Sequence, residues 1–426
     1  MTRHEENYIK IRLKDACESI FSGGTPDTRK PEYWGGEYLW LSSGETRNKF
    51  IKTAEKTITK YGVDNSSTRL AKIGDVLIAS AGQGKTRGQT SYVLKDTYIN
   101  QSIIALRVNG KKIDSRYLFY LLSGKYDTLR NMSDANAIRG SLTCKMFEGM
   151  EIIVPEDVEI QKRVASLLFD YDSLIENNAR RIELLESMAK LIYDEWFVKF
   201  KFPGHETVKM VDSGTDFGEI PEGWQVKRMS DFGDVITGKT PPTKDEENYG
   251  EDMQFIKTPD MHNNLFVINT EQKLSEKGVS TQKKKTLPTN SIIVSCIGTV
   301  GVVSINAFPC QTNQQINTVV LNKQTHREYL YFLCESLKTH LENLGSNGAT
   351  MGNVNKEKFQ SIKVLYPDEK ILEHYSNICA PMFQQIKDLQ LKNQNLAATC
   401  DLLLPKLMSG ELDVSELDIK VSEVEV

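Results

Sequence analysis

Residues 74–86, GDVLIASAGQGKT, come close to a phosphate-binding loop. An apolar run, Val76-Leu77-Ile78, leads into glycines that close on Gly84-Lys85-Thr86, and only Ala79 departs from G-x-x-x-x-G-K-[ST]. In such a loop, backbone amides and the start of the next helix surround the phosphates. Here the following residues, TRGQTSYVLKDTYINQSIIALRV, are rich in β-branched and aromatic types and predict a hairpin into strands instead. The loop keeps Gln83, Gly84, Lys85, Arg87 and Gln89. These types suit another polyanion, DNA: Arg or Lys to guanine, Gln to adenine, Lys and amides to phosphate. The plainer alternative is a polar loop tip that only solvates itself.

Other chemistries find little support. The seven cysteines are scattered without a C-x-x-C, an odd count that argues against a disulfide framework and for a reducing cytoplasm. The six histidines show no metal-ligand spacing, so no metal site is expected. No membrane span or secretory leader is read from the chain. Thr240-Pro241-Pro242 lacks the Asn or Asp and the aromatic of an amino-methylation motif, and no G-x-G-x-x-G occurs.

What positions the loop is a tandem repeat. FSGGTPDT (21–28) returns as ITGKTPPT (236–243), and YINQSIIALRVN (98–109) as QTNQQINTVVLN (311–322). RYLFYLL (116–122) returns as EYLYFLC (328–334), and FEGMEIIVP (147–155) as FQSIKVLYP (359–367). VLIASAG (76–82) aligns with IIVSCIG (292–298), and Gly88 with Gly301. Between these glycines the first copy has QGKTR and the second only TV, so Gly-Lys-Thr is an insertion at a loop tip.

After each repeated proline the apolar spacing predicts a long helix. The first seam is Ile160, Val164, Leu167, Tyr171, Ile175, Asn178, Ile182, Leu185, Ala189, Ile192 and Trp196. The second is Ile371, Tyr375, Ile378, Met382, Ile386, Leu389, Asn393, Leu396, Cys400, Leu403 and Leu407, with a stutter at the same step. Each span measures roughly 55 Å at about 1.5 Å per residue. A striped helix needs a partner to cover the stripe, and the other copy, packed antiparallel, is the obvious one. Asn178 and Asn393 are either tolerated polar residues or a register device. Pro405 is expected to kink or end the second helix, and Pro381 to bend it.

The fold class is therefore α+β: two tandem mixed α/β domains separated by two long antiparallel helices. The expected boundaries are 1–155 and 201–367 for the globular parts, the latter including a linker, and 156–200 and 368–410 for the helices. Strands are predicted at 76–80, 91–94, 103–108, 151–154, 254–257, 291–296, 300–304 and 317–321, and helices at 116–130 and 328–343. The net charge is −4, yet residues 411–426 hold six acids and one lysine, which leaves the body near neutral. That acidic end reads as frayed or disordered.

The two-copy layout, the SGGTP and TGKTP openings, the glycine loop followed by NQS or NQQ, IPEGW at 220–224 and the helix after Pro155 resemble the specificity subunit of type I restriction-modification systems. The resemblance covers essentially the whole chain. It implies two target recognition domains, each reading half of a bipartite double-stranded DNA sequence. It implies helices that fix the spacing and dock two modification (methyltransferase) subunits, with restriction (translocase/endonuclease) subunits completing the complex. S-adenosylmethionine, ATP and Mg would then belong to those partners; no catalytic residue and no cofactor are expected in this chain.

Candidate DNA contacts in the first copy are Gly23, Gly24, Thr25, Gln83, Gly84, Lys85, Arg87, Gln89, Asn100, Gln101, Arg139 and Ser141. In the second they are Lys239, Thr240, Thr299, Asn313, Gln314, Asn347 and Thr350. Each also has a purely structural reading, since Gly and Thr-Pro shape turns and Asn-Gln can cap strands. Two rival functions stay open: an ATP-dependent enzyme using Lys85 and Thr86, and a coiled-coil scaffold whose globular ends bind proteins.

Overall fold

The computed structural model describes residues 7–134, 140–346, 352–414 and 417. They form two compact units: Met1–Leu174 together with Leu396–Val426, and Ile175–Asn395. Neither expected helix is a module of its own. Each is cut by the unit boundary, so each unit contains one recognition domain and part of both helices.

In the first unit a five-stranded sheet has the order Cys17–Ser22, Ile103–Val108, Val76–Ala79, Thr90–Val93, Phe50–Ile51. Its members are buried nearly end to end, as Val76–Ala79 illustrates. Such strands read as continuous apolar runs, and those are the runs the sequence displays. A second sheet orders Lys56–Ile58, Trp34–Leu41, Thr97–Ile99 and Arg69–Ala71. Tyr8–Arg12 pairs antiparallel with Glu151–Pro155, which hands the chain to the first long helix.

The second unit repeats this plan. Its five-stranded sheet runs Gly233–Thr237, Ile316–Leu321, Ile292–Ser295, Val303–Asn306, Phe266–Val267. Gln225–Arg228 pairs with Lys363–Tyr366, as Tyr8–Arg12 does with Glu151–Pro155. The companion sheet has Lys273–Leu274, Tyr249–Ile256 and Cys310–Thr312. Where the first unit has the strand Arg69–Ala71, only a single bridge, Leu287 to Cys310, remains. Both predicted domain helices are split: Ser115–Ser123 and Tyr126–Asp134, then Arg327–Ser336 and Lys338–Gly345. The first break falls at Gly124, which caps its helix. The predicted strand at 300–304 forms three residues later, at Val303–Asn306, because the short loop before it extends to Val302.

The first long helix runs Val158–Tyr193 and continues as one π-helical turn, Asp194–Val198. The second runs Glu369–Ser409. Pro405 does not end it, and Pro381 also lies within it. Proline forfeits one backbone hydrogen bond, which packing on both sides of the site outweighs. No seam position on either helix is exposed. Within the second unit the helices are antiparallel: the Tyr375 hydroxyl donates to the carbonyl of Ala189 (3.3 Å), and Asn178 Nδ2 donates to Asn393 Oδ1 (2.8 Å). Asn393 Nδ2 in turn donates to the carbonyl of Ile175 (3.2 Å). The two seam asparagines therefore satisfy each other, as a register device requires.

Each helix also buries a second face against its domain. Gln161 accepts from the Asp114 amide (2.9 Å) and donates to the Pro155 carbonyl (2.7 Å). Asp172, one of the few buried carboxylates, accepts from the Tyr120 hydroxyl and from Lys49, both at 2.8 Å. Val164, Ala165, Leu168 and Leu407 join the first domain's core. Leu372, Tyr375, Cys379, Phe383 and Ile386 join the second's. The acidic end is not wholly loose: Val414 is buried in the first unit's core.

In the second unit a groove of about 1010 Å³ lies between the helix pair and the domain. Glu186 and Glu335 both line it. Burial, then the charges of Glu335 and Glu183, push the Glu186 carboxyl up to about 7. Among the described residues, no helix is long and apolar enough to cross a membrane.

Candidate nucleic-acid interface

The P-loop-like stretch is a β-hairpin. Val76–Ala79 pairs antiparallel with Thr90–Val93, with Ile78 opposite Thr90 and Val76 opposite Tyr92. No helix follows Thr86, so no helix N-terminus faces the loop, and the arrangement that holds a nucleotide's phosphates does not form. The loop is instead tied down through its carbonyls. Tyr126 donates its hydroxyl to the carbonyl of Lys85 (2.8 Å), and Arg130 donates to that of Gly84. Gly84 adopts a φ of 59°, a left-handed conformation that glycine takes without strain. Gln83, Gly84 and Lys85 are exposed at the tip.

Arg87 differs from its neighbours on this loop. Its guanidinium pairs with Asp134 and donates to the carbonyl of Gly140 (2.9 Å), leaving the side chain 12% exposed. An arginine held this way braces the loop and is not free to fork onto a guanine, so its place among the base contacts is corrected. Gln89 is half-buried, with its side-chain oxygen enclosed. Ser141 is half-buried beside Leu142, whose amide donates to the carbonyl of Ser80 (2.9 Å). The second copy repeats that contact, Val354 amide to Cys296 carbonyl at 2.9 Å. Its shorter loop exposes Thr299 and closes with the Gly298 amide on the carbonyl of Gly352 (3.3 Å). Arg139, Asn347 and Thr350 lie outside the described residues.

The openings and the Asn-Gln motifs meet in space. Gly23 and Gly24 donate their amides to the carbonyls of Asn100 (3.3 Å) and Ile99 (3.1 Å). A Cβ on Gly23 would stand 1.8 Å from the Ile99 oxygen, so glycine is required there for strand approach. Gly24 is buried, and both glycines are therefore corrected from DNA contacts to packing elements. Asn100 and Asn313 are corrected likewise. They are buried, and each folds its side-chain oxygen onto the amide two residues on, Ser102 (3.0 Å) or Gln315 (3.1 Å).

Their neighbours do reach the surface. The Thr25 hydroxyl donates to Gln101 Oε1 at 2.5 Å, and in the second copy the Thr240 hydroxyl donates to Gln314 Oε1 at 2.5 Å. Thr25, Gln101, Gln314 and Lys239 are exposed, and Thr240 is half-buried. Residue types alone suggested both motifs, but the cross-pairing of Thr with Gln is a tertiary fact. The loop-bracing helix Tyr126–Asp134 left no signal in the sequence beyond a helical stretch.

No group of three or more His, Cys, Asp or Glu fit to hold a metal ion occurs among the described residues. All seven cysteines are free.

The family model described as "Type I restriction modification DNA specificity domain" matches the chain twice, over residues 5–187 and 221–396. The chain is 27% identical to the type I restriction enzyme HindI specificity subunit of Haemophilus influenzae, covering 88% of this chain and 94% of that protein. It is 26% identical to the MjaIX specificity subunit of Methanocaldococcus jannaschii, covering 95% and 94%. The crystal structure of a type I restriction-modification S subunit from M. genitalium shares the fold, with a TM-score of 0.63 at 13% identity over 94% of this chain and 96% of that one. With two matches that span most of its length and repeat one architecture, the chain belongs to the type I restriction-modification DNA specificity family, as a non-catalytic DNA-recognition subunit with two recognition domains in tandem.

Proposed function

We propose that each domain reads one half of a bipartite DNA target through the edge on which the hairpin loop and the Thr–Gln pair are exposed. The observation that carries this is the recurrence of that edge in both copies, with Thr25 and Gln101 answered by Thr240 and Gln314. Gln83, Gly84, Lys85 and, less exposed, Gln89 and Ser141 supply the first domain's contacts; Lys239 and Thr299 supply the second's. The paired helices set the spacer between the half-sites and dock two modification subunits, and restriction subunits complete the assembly in the cytoplasm. S-adenosylmethionine, ATP and Mg act in those partners and not in this chain. A near-neutral body fits this division, because partners that clamp the duplex supply phosphate contacts this chain lacks.

Mapping methylated adenines in the genome with and without this gene tests the reading. A two-part motif that disappears with the gene supports it. An unchanged set of methylated sites rejects it.

A further inference from the structure

We infer that the paired Thr25–Gln101 and Thr240–Gln314 side chains anchor the DNA backbone and do not read bases; this rests on the DNA-binding function proposed above. In each pair the threonine hydroxyl donates to the glutamine oxygen at 2.5 Å. The oxygen end of the amide is thereby turned inward, and its Nε2, a pure donor, is left facing solvent. A glutamine that reads adenine uses both ends, accepting from N6 and donating to N7. A donor alone matches phosphate oxygens, which recur at every nucleotide and carry no sequence information.

The setting of the two pairs is equally constant. The residue before each threonine, Gly24 or Lys239, donates its amide to a strand carbonyl, that of Ile99 (3.1 Å) or Thr312 (2.9 Å). The residue before each glutamine, Asn100 or Asn313, is buried and closes its own turn. Both pairs are thus held rigidly from both sides. The hairpin loops, by contrast, differ in length and in what holds them. Two domains that read different half-sites need their base readers to differ and their backbone anchors to agree. The Thr–Gln pairs agree.

The test uses the full chain assembled with its modification subunits. Affinity is measured on a duplex bearing the mapped target and on duplexes with one base changed in either half. Gln101→Ala and Gln314→Ala should each weaken binding roughly tenfold, the scale of a hydrogen bond to a charged group. The loss should be the same on every duplex, so the ratio of target to altered duplex stays fixed. Gln101→Glu keeps an acceptor for Thr25 and so keeps the turn. It should lose more than the alanine variant, because a carboxylate then faces phosphate, and added salt should shrink its extra loss. A changed base preference in the first half-site would make Gln101 a reader and overturn the inference. So would full affinity of Gln101→Ala with unchanged melting, or a harmless Gln101→Glu. If the unaltered complex binds none of the duplexes, the DNA reading itself fails, and this inference with it.

Discussion

The two recognition domains share a sheet order and a Thr–Gln pair, yet the loops between their equivalent hairpin strands are built differently. The first is long, and the helix Tyr126–Asp134 holds it through the carbonyls of Gly84 and Lys85. The second is short and closes on Gly352. A helix-braced loop accepts insertions at its tip without disturbing the sheet beneath, since loop length costs little once the ends are fixed. The constant parts therefore lie where the strands approach each other, and the variable parts lie at the tips.

The largest expected effect concerns the helices. Ile386 is fully buried, whereas Ile175, its counterpart on the first helix, is only half-buried. Ile386→Asp should cost more than about 4 kcal/mol and Ile175→Asp about 1–2 kcal/mol, read by denaturant unfolding. Equal costs would show that the two seams are buried alike.

Next is the loop itself. Replacing Gln83–Arg87 with the Thr-Val of the second copy should change the methylated motif in one half only. Each lost base contact is worth about 1–3 kcal/mol. A motif altered in both halves, or in neither, would break the assignment of one loop to one half-site.

Asn178→Ala removes the bond to Asn393 and should cost about 1–2 kcal/mol. Asn393→Ala should cost more, because Asn393 also bonds the carbonyl of Ile175. A double-mutant cycle measures the coupling, and additive losses would mean that the pair does not act as one device.

The smallest effect depends on pH. The Glu186 carboxyl is raised in the folded chain to about 7, first by burial and then by Glu335 and Glu183. The folded state therefore binds the proton more tightly, and stability is lost as pH rises from the unfolded carboxylate range of about 4.3 through about 7. Glu186→Gln should give no gain below about pH 4 and about 1 kcal/mol above pH 7, by thermal melts across that range. A gain that does not vary with pH would mean that packing, not charge, is responsible.

The repeat made much of this fold legible. Both long helices, their seams and their shared stutter follow from spacing alone, because a buried stripe leaves a period in the sequence. The stripe does not record the second buried face. Gln161 and Asp172 are polar, and only their partners, such as Asp114 and Tyr120, explain why they lie inside. The same limit governs the interface. Gly23, Asn100 and Arg87 have the right types for touching DNA, but backbone approach, a local turn and an ion pair use them up. Residue type does not say whether a donor is already occupied. Thr25 and Gln101 carried the same uncertainty until their pairing fixed which end of the amide is free.

The division of the two helices between the units bears on how the protein is made. The second unit is one uninterrupted stretch, Ile175–Asn395, while the first combines Met1–Leu174 with residues from Leu396 onward. Domains generally fold in the order in which the ribosome releases them. Here the domain synthesised first lacks Leu407 and Val414 of its core until the ribosome has nearly finished. The second unit can close before the first, and the nascent first domain waits with part of its apolar surface uncovered.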